Sequence, residues 1–178
     1  LKSLNQHIER ELTRTRIAAG TSVPQKTSVE PIVGRLFRTM EKLPRGDAID
    51  WSLSCEPHVS VPVEEADLAE VLGNLLDNAR KWARSEVGIT VKSMADRIEL
   101  LIDDDGPGVP ETDRVRVMSR GTRLDETVPG SGLGLNITKA VVEAYGGQML
   151  LDSSVRGGLL VRLTLPPAER RRMGDLSA

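Results

Sequence analysis

Asn74-Leu-Leu-Asp-Asn78-Ala-Arg-Lys81-Trp82 is the stretch on which the reading of this chain turns. On an ideal helix, at about 100° per residue, Leu68, Leu72, Leu75, Leu76 and Ala79 share one face. Asn74, Asn78 and Lys81 then fall within about 60° of one another on the opposite face, beside Glu70. A merely solvated polar face would use Glu, Lys or Gln, because asparagine is a poor mid-helix residue. Two asparagines one turn apart, followed by a lysine, suit neutral oxygen ligands for Mg2+ and a cation for phosphate oxygens. Trp82 either stacks on a base or anchors the helix end in the core.

Two further segments carry chemistry. Asp103-Asp104-Asp105-Gly106-Pro107-Gly108 ends an apolar strand. A calcium loop is excluded, because the position four before Asp105 is Leu101 and the carboxylate spacing fails. A buried Asp carboxylate here can accept a hydrogen bond from an adenine amino group, while Gly106 and Gly108 let the backbone approach the ring. Asp105 is assigned that role because the glycines follow it, with Asp103 and Asp104 as hydrogen-bonding or solvated neighbours. Gly130-Ser131-Gly132-Leu133-Gly134-Leu135 precedes a helix, so its N–H groups and the helix N-terminus can hold phosphates. A dinucleotide-binding fingerprint is disfavoured: the preceding residues are loop and the sixth position is Leu135. No Walker A sequence exists in the chain.

The rest of the chain frames these segments. Leu1, Leu4, Ile8 and Leu12 form a narrow apolar seam to about Ala19, followed by a linker over 21–27. Ser28 is expected to cap a helix running to about Leu43. Strands are expected over Ile49–Ser54, near Val59–Val61, and over Val87–Met94 and Arg97–Asp103, the last two joined by a tight turn at Ala95-Asp96. Helices are expected over Glu64–Ala83, Glu111–Met118 and Gly134–Tyr145, with a closing strand pair at Gln148–Ser153 and Gly158–Leu165. Helices and strands mixed without strict alternation give an α/β two-layer sandwich, helices on one face of a mixed sheet. The chain thus divides into a helical segment over 1–20, a linker over 21–27, an α/β domain over 28–167 and a frayed tail over 168–178. The 24 basic and 26 acidic residues leave a net charge of -2 and no basic field to argue for nucleic acid. The lone Cys55 forms no internal disulfide, and no apolar run approaches a membrane helix. A chain opening on Leu1 in mid-helix pattern reads as a piece of something longer.

In this order, the three segments resemble the N, G1 and G2 boxes of sensor histidine kinases, within the wider family of gyrase, Hsp90, kinase and MutL ATPase domains. The match covers about Ile49 to Leu165 and looks most similar to the PhoQ-like subgroup. The resemblance implies a Bergerat-type fold with about five strands under three main helices, and a mobile lid over Ser119–Ser131. It implies ATP and Mg2+ as cofactors, with Asn74 and Asn78 on the metal and Lys81 on phosphate. Trp82 lies near adenine, and Asp105 takes the adenine amino group with Gly106, Gly108 and Val109 beside it. Gly130, Ser131, Gly132, Leu133, Gly134 and Leu135 surround the phosphates. Asn78, Lys81 and Arg123 are the expected catalytic set. Met118 replaces the usual phenylalanine before the lid, and Val128 and Ser131 stand where some relatives carry Arg and Gln. Arg123 and Arg120 are then the remaining lid cations.

Hydrolytic relatives place a Glu one turn before the metal asparagine as general base. Asn74 holds that place and takes no proton, so the resemblance implies γ-phosphate transfer to an external nucleophile. That nucleophile is expected to be a histidine on the protein's own preceding hairpin, within a homodimer, with onward transfer to a response regulator receiver domain. The resemblance makes residues 1–20 the end of that dimerisation and phosphoacceptor hairpin and 28–167 the ATP-binding catalytic domain. The implied location is the cytoplasmic side of a bacterial inner-membrane-anchored protein. His7 is rejected as acceptor because the order of its neighbours is wrong and no Pro follows. An anti-sigma type serine-protein kinase and a non-catalytic nucleotide-binding module are the alternatives.

Overall fold

The computed structural model describes residues 26–119 and 132–167. The seam over 1–19, most of the linker, Arg120, Arg123, Gly130, Ser131 and the tail lie outside the described residues, as does nearly all of the lid. The described chain runs β1 (Thr27–Ser28), α1 (Val29–Met40), a short 3-10 turn (Gly46–Ala48), β2 (Asp50–Cys55), β3 (Ser60–Val61) and α2 (Glu65–Trp82). It continues through β4 (Glu86–Ser93), β5 (Ile98–Asp104), α3 (Glu111–Val117), α4 (Gly134–Ala144), β6 (Gln148–Ser153) and β7 (Leu159–Leu165).

The main sheet has the order β2-β4-β5-β7-β6, mixed because β2 and β4 are parallel and the other pairs antiparallel. Alternation sets which residues face the helices. Leu100 and Ile102 of β5 sit opposite Leu163 and Val161 of β7, all at or below 4% exposure. Against this face α2 presents Leu68, Leu72, Leu75 and Leu76, each at most 2% exposed. Burying each such side chain is worth about 1.5–3 kcal/mol before the entropy of ordering it is charged. Glu65 and Asp67 in the first turn of α2, and Arg80 and Lys81 in its last, complement the helix dipole. The opposite sheet face is dressed by ion pairs. Glu99, 7% exposed, lies between Arg97 (2.9 Å) and Arg162 (3.4 Å). Asp103 pairs with Arg156 at 2.8 Å, and Arg156 also reaches Glu86.

The elements match the expected order, with two local differences. Thr27, assigned to the linker, belongs to β1, which pairs antiparallel with β3 as a small separate ribbon. Ser28 precedes α1 but makes no side-chain cap, because its hydroxyl lies against that of Ser60 across the ribbon, at 3.5 Å. Among the described residues no helix is long and apolar enough to cross a membrane.

Candidate nucleotide site

α2 and α4 run antiparallel, which brings the asparagine face and the glycine loop together. A Cβ on Gly134 would lie 3.8 Å from the Asn74 Cβ. At the other end Tyr145 donates its hydroxyl hydrogen to Asp67 at 2.5 Å and accepts from the Glu64 amide at 3.4 Å. Burial and the Asp67 carboxylate both push the Tyr145 pKa up, so the hydroxyl stays a donor at all ordinary pH. Gly132 is left-handed (φ 66°), Leu133 is the N-cap residue of α4, and Leu135 is packed partly against the core. In an α-helix the first three amides, here those of Gly134, Leu135 and Asn136, have no partner within the helix, which suits this end to an anion.

Asn74 and Asn78 sit half-buried on α2 as the helical geometry requires. The Asn74 Nδ2 is buried without a hydrogen-bond partner among the described residues. A buried unpaired donor costs free energy unless something outside the chain satisfies it, so this atom fits an oxygen-rich ligand. Lys81 pairs with Asp77 at 2.6 Å, and Asp77 also holds Arg80 at 2.7 Å. Partial burial works against ionising Asp77, but hydrogen bonds from Lys81 and Arg80 outweigh it and lower its pKa.

The acid run is where the sequence assignment needs correction. Asp104, not Asp105, is the buried carboxylate: it is 3% exposed, on the same side of β5 as Leu100 and Ile102. Its Oδ1 accepts from the Gly106 amide at 2.8 Å and the Leu159 amide at 3.3 Å. Burial raises its pKa, only partly offset by those two amides. Asp105 points the other way and its acceptor capacity is already used. Oδ1 takes the amides of Arg84 (2.7 Å) and Ser85 (3.1 Å), while Oδ2 takes the Ser85 amide (3.0 Å) and hydroxyl (2.8 Å). Partial burial pushes up on this carboxyl, but hydrogen bonds from Ser85, Glu86 and Arg84 win and hold it at about 2. The buried carboxylate expected in this run is Asp104, one residue before Asp105.

Glycines close the cradle round Asp104. A Cβ on Gly158, in the turn between β6 and β7, would fall 2.2 Å from Asp104 Oδ1. One on Gly106 would fall 2.5 Å from the Trp82 carbonyl oxygen. No side chain larger than hydrogen fits either place. Gly108 is packed on the Gly158 carbonyl, and Val109 lies partly buried against the core with its carbonyl accepting from Arg114 at 3.3 Å. Trp82 is half-buried at the end of α2, next to this cradle. The sequence reading also missed Arg45, whose guanidinium donates to the carbonyls of Lys81 and Ala83, both at 2.8 Å. No local pattern marks it, since Arg45 is 36 residues from Lys81 in sequence.

A family model described as histidine kinase-, DNA gyrase B- and HSP90-like ATPase matches residues 63–169. The sensor protein kinase CarS of Pseudomonas aeruginosa is 41% identical over 175 residues, 93% of this chain and 37% of that protein. The two-component sensor PhoQ of the same organism is 34% identical over 163 residues, 92% of this chain and 36% of its own. The chain thus spans little more than a third of the length of these curated relatives. Among solved structures, the mycobacterial sensor histidine kinase MprB superposes with TM-score 0.72 at 29% identity, covering 80% of this chain and 97% of that one. The ATP binding domain of PrrB from Mycobacterium tuberculosis gives 0.67 at 26%, covering 80% and 96%. The chain belongs to the histidine kinase-, DNA gyrase B- and HSP90-like ATPase family, as an ATPase domain of the sensor histidine kinase kind.

Proposed function

We propose that this domain binds Mg-ATP between α2, the β5 end and the N-terminus of α4, and presents the γ-phosphate to a histidine on a helical hairpin of the same protein. The observation that carries this reading is the convergence of the Asn74, Asn78 and Lys81 face with a buried acid, Asp104, and the first turn of α4. Asp104 has an oxygen left after its two amide bonds and reads the adenine amino group; guanine offers a carbonyl at that place and is rejected. Asn74 and Asn78 would hold Mg2+ through their amide oxygens, and the ion would supply positive charge to the phosphates. Lys81 exchanges its partner Asp77 for a phosphate oxygen. Trp82 covers the base, and the amides at Gly132 to Leu135 hold phosphates, with Gly130 and Ser131 before them. Arg123 and Arg120 supply lid cations.

Asn74 stands where a general base would be needed to activate water, and an amide takes no proton. Transfer to an external acceptor is therefore favoured over hydrolysis. In the complete protein this reading places the domain on the cytoplasmic side of a membrane sensor, in a homodimer that passes phosphate to a response regulator receiver domain.

The test is Asn78→Asp in the complete kinase, with γ-labelled ATP and Mg2+. An added carboxylate changes the charge and geometry at the metal, and phosphotransfer to the hairpin should fall at least about 100-fold. Circular dichroism should stay native. Wild-type labelling of the hairpin by the variant would reject the site, and unfolding would show that the asparagine face is structural.

A further inference from the structure

Residues 81 to 86 make the corner between α2 and β4, and the corner is gripped by charge from two sides. Arg45, itself in a left-handed conformation (φ 68°), aims its guanidinium fork at the Lys81 and Ala83 carbonyls, both at 2.8 Å. Carbonyls at a helix end carry its negative pole, so a cation is well placed there. From the other side Asp105 takes the amides of Arg84 and Ser85 and the Ser85 hydroxyl, and its own amide donates to the Glu86 carbonyl at 3.3 Å. Two of the corner's carbonyls are held by a cation and two of its amides by an anion.

We propose that Asp105 and Arg45 are positioning residues for nucleotide binding: they lock the corner so that Lys81 and Trp82 stay in register with Asp104 and Gly106. The coupling runs through backbone. Lys81 and Trp82 lead into the corner, Asp105 directly follows Asp104, and Gly106 lies so close to the Trp82 carbonyl that a Cβ would fall 2.5 Å from it. A corner free to shift by an ångström would separate the phosphate lysine from the base-reading acid, and a ligand spanning both would no longer fit. Neither clamp residue touches the ligand. The inference rests on the proposed nucleotide binding, with Asp105 acting through its neighbours.

The experiment combines calorimetric titration of the 178-residue chain with ATP and GTP, and hydrogen exchange at the Arg84 and Ser85 amides without nucleotide. The variants are Asp105→Ala, Asp105→Asn and Arg45→Met. Asp105→Ala should weaken ATP by about tenfold, the loss of a charge-assisted bond network. It should leave the ratio of ATP to GTP affinity unchanged and speed exchange at both amides. Asp105→Asn keeps an acceptor for those amides and should recover most of the affinity. Arg45→Met should weaken ATP in the same way, and adding it to Asp105→Ala should cost less than the two effects multiplied. If Asp105→Ala does not fold, the Asn and Met variants carry the test.

A changed ATP-to-GTP ratio at Asp105→Ala would mean that Asp105 touches the base. Faster exchange with unchanged affinity would mean that the corner does not position the ligand. Unchanged exchange would mean that Asp105 holds nothing. Each result overturns the proposal. Failure of the wild-type chain to bind ATP would instead overturn the nucleotide reading, while the exchange measurement would still report on the clamp.

Discussion

Replacing Asp104 by Asn changes one atom's chemistry without changing the side chain's shape, and the two amides that hold the carboxylate decide which way the new group points. Oδ1 must keep accepting from the Gly106 amide (2.8 Å) and the Leu159 amide (3.3 Å), because alanine there would strand both donors at about 1–3 kcal/mol each. The asparagine oxygen is therefore held in that position, and the new NH2 occupies the place of Oδ2. In the proposed site, an acceptor for the adenine amino group becomes a donor facing a donor. Losing a hydrogen bond to a charged group is worth about 1.5–3 kcal/mol, so ATP affinity should fall about 10- to 150-fold. GTP should lose nothing and can gain, since its carbonyl now meets a donor, and the preference should narrow or invert. Stability should not fall. The folded pKa of Asp104 is raised by burial, so its ionised form works against folding as pH rises above the ordinary value of 3.8, and the neutral amide removes that cost. Calorimetry with both nucleotides, together with a thermal melt, reads all three effects. Unchanged ATP affinity in a variant that melts like the wild type would refute the placement of the base against Asp104.

Gly158→Ala should be disruptive out of proportion to one methyl group, because the new Cβ would meet Asp104 Oδ1, the Asp104 carbonyl oxygen and the Gly106 amide at 2.2–2.5 Å. A loss of about 1–3 kcal/mol in chemical denaturation, with weakened nucleotide binding, is expected. An acid titration of stability distinguishes the two neighbouring acids. Asp105, held at about 2, adds stability that is full above its ordinary pKa of 3.8 and is lost as pH falls through 2. The stability gap between wild type and Asp105→Asn should accordingly close between about pH 4 and pH 2, as followed by urea denaturation at each pH. A gap that stays constant over that range would contradict the hydrogen-bonded geometry at Arg84 and Ser85.

The sandwich was legible because its signals are local. Each long strand alternates, and the α2 stripe from Leu68 to Ala79 repeats with helical spacing, so the layer that buries it follows from pattern alone. The asparagine face was legible for the same reason. The buried acid is Asp104 and not Asp105: the adjacent glycines point to Asp105, whereas strand parity points to Asp104. Leu100 and Ile102 point into the core, and counting two further reaches Asp104, while Asp103 and Asp105 fall on the opposite parity. Arg45 was invisible because its partners are carbonyls, which carry no side-chain identity to read. Ser28 had the right residue type for a cap, yet a small ribbon took its hydroxyl, a tertiary contact that no local pattern announces.

The pocket also has an order of assembly. β7 lies between β5 and β6, although it is the last strand of the described chain, and its first amide, that of Leu159, completes the hydrogen bonding of Asp104. Until β7 inserts, β5 is an open edge and the buried acid lacks both a donor and its glycine cover from the turn at Gly158. A nascent chain that has emerged only as far as α4 already carries its asparagines and lysine but lacks the strand and turn that enclose Asp104. The surroundings of Asp104 are therefore completed by β7, the last strand of the described residues.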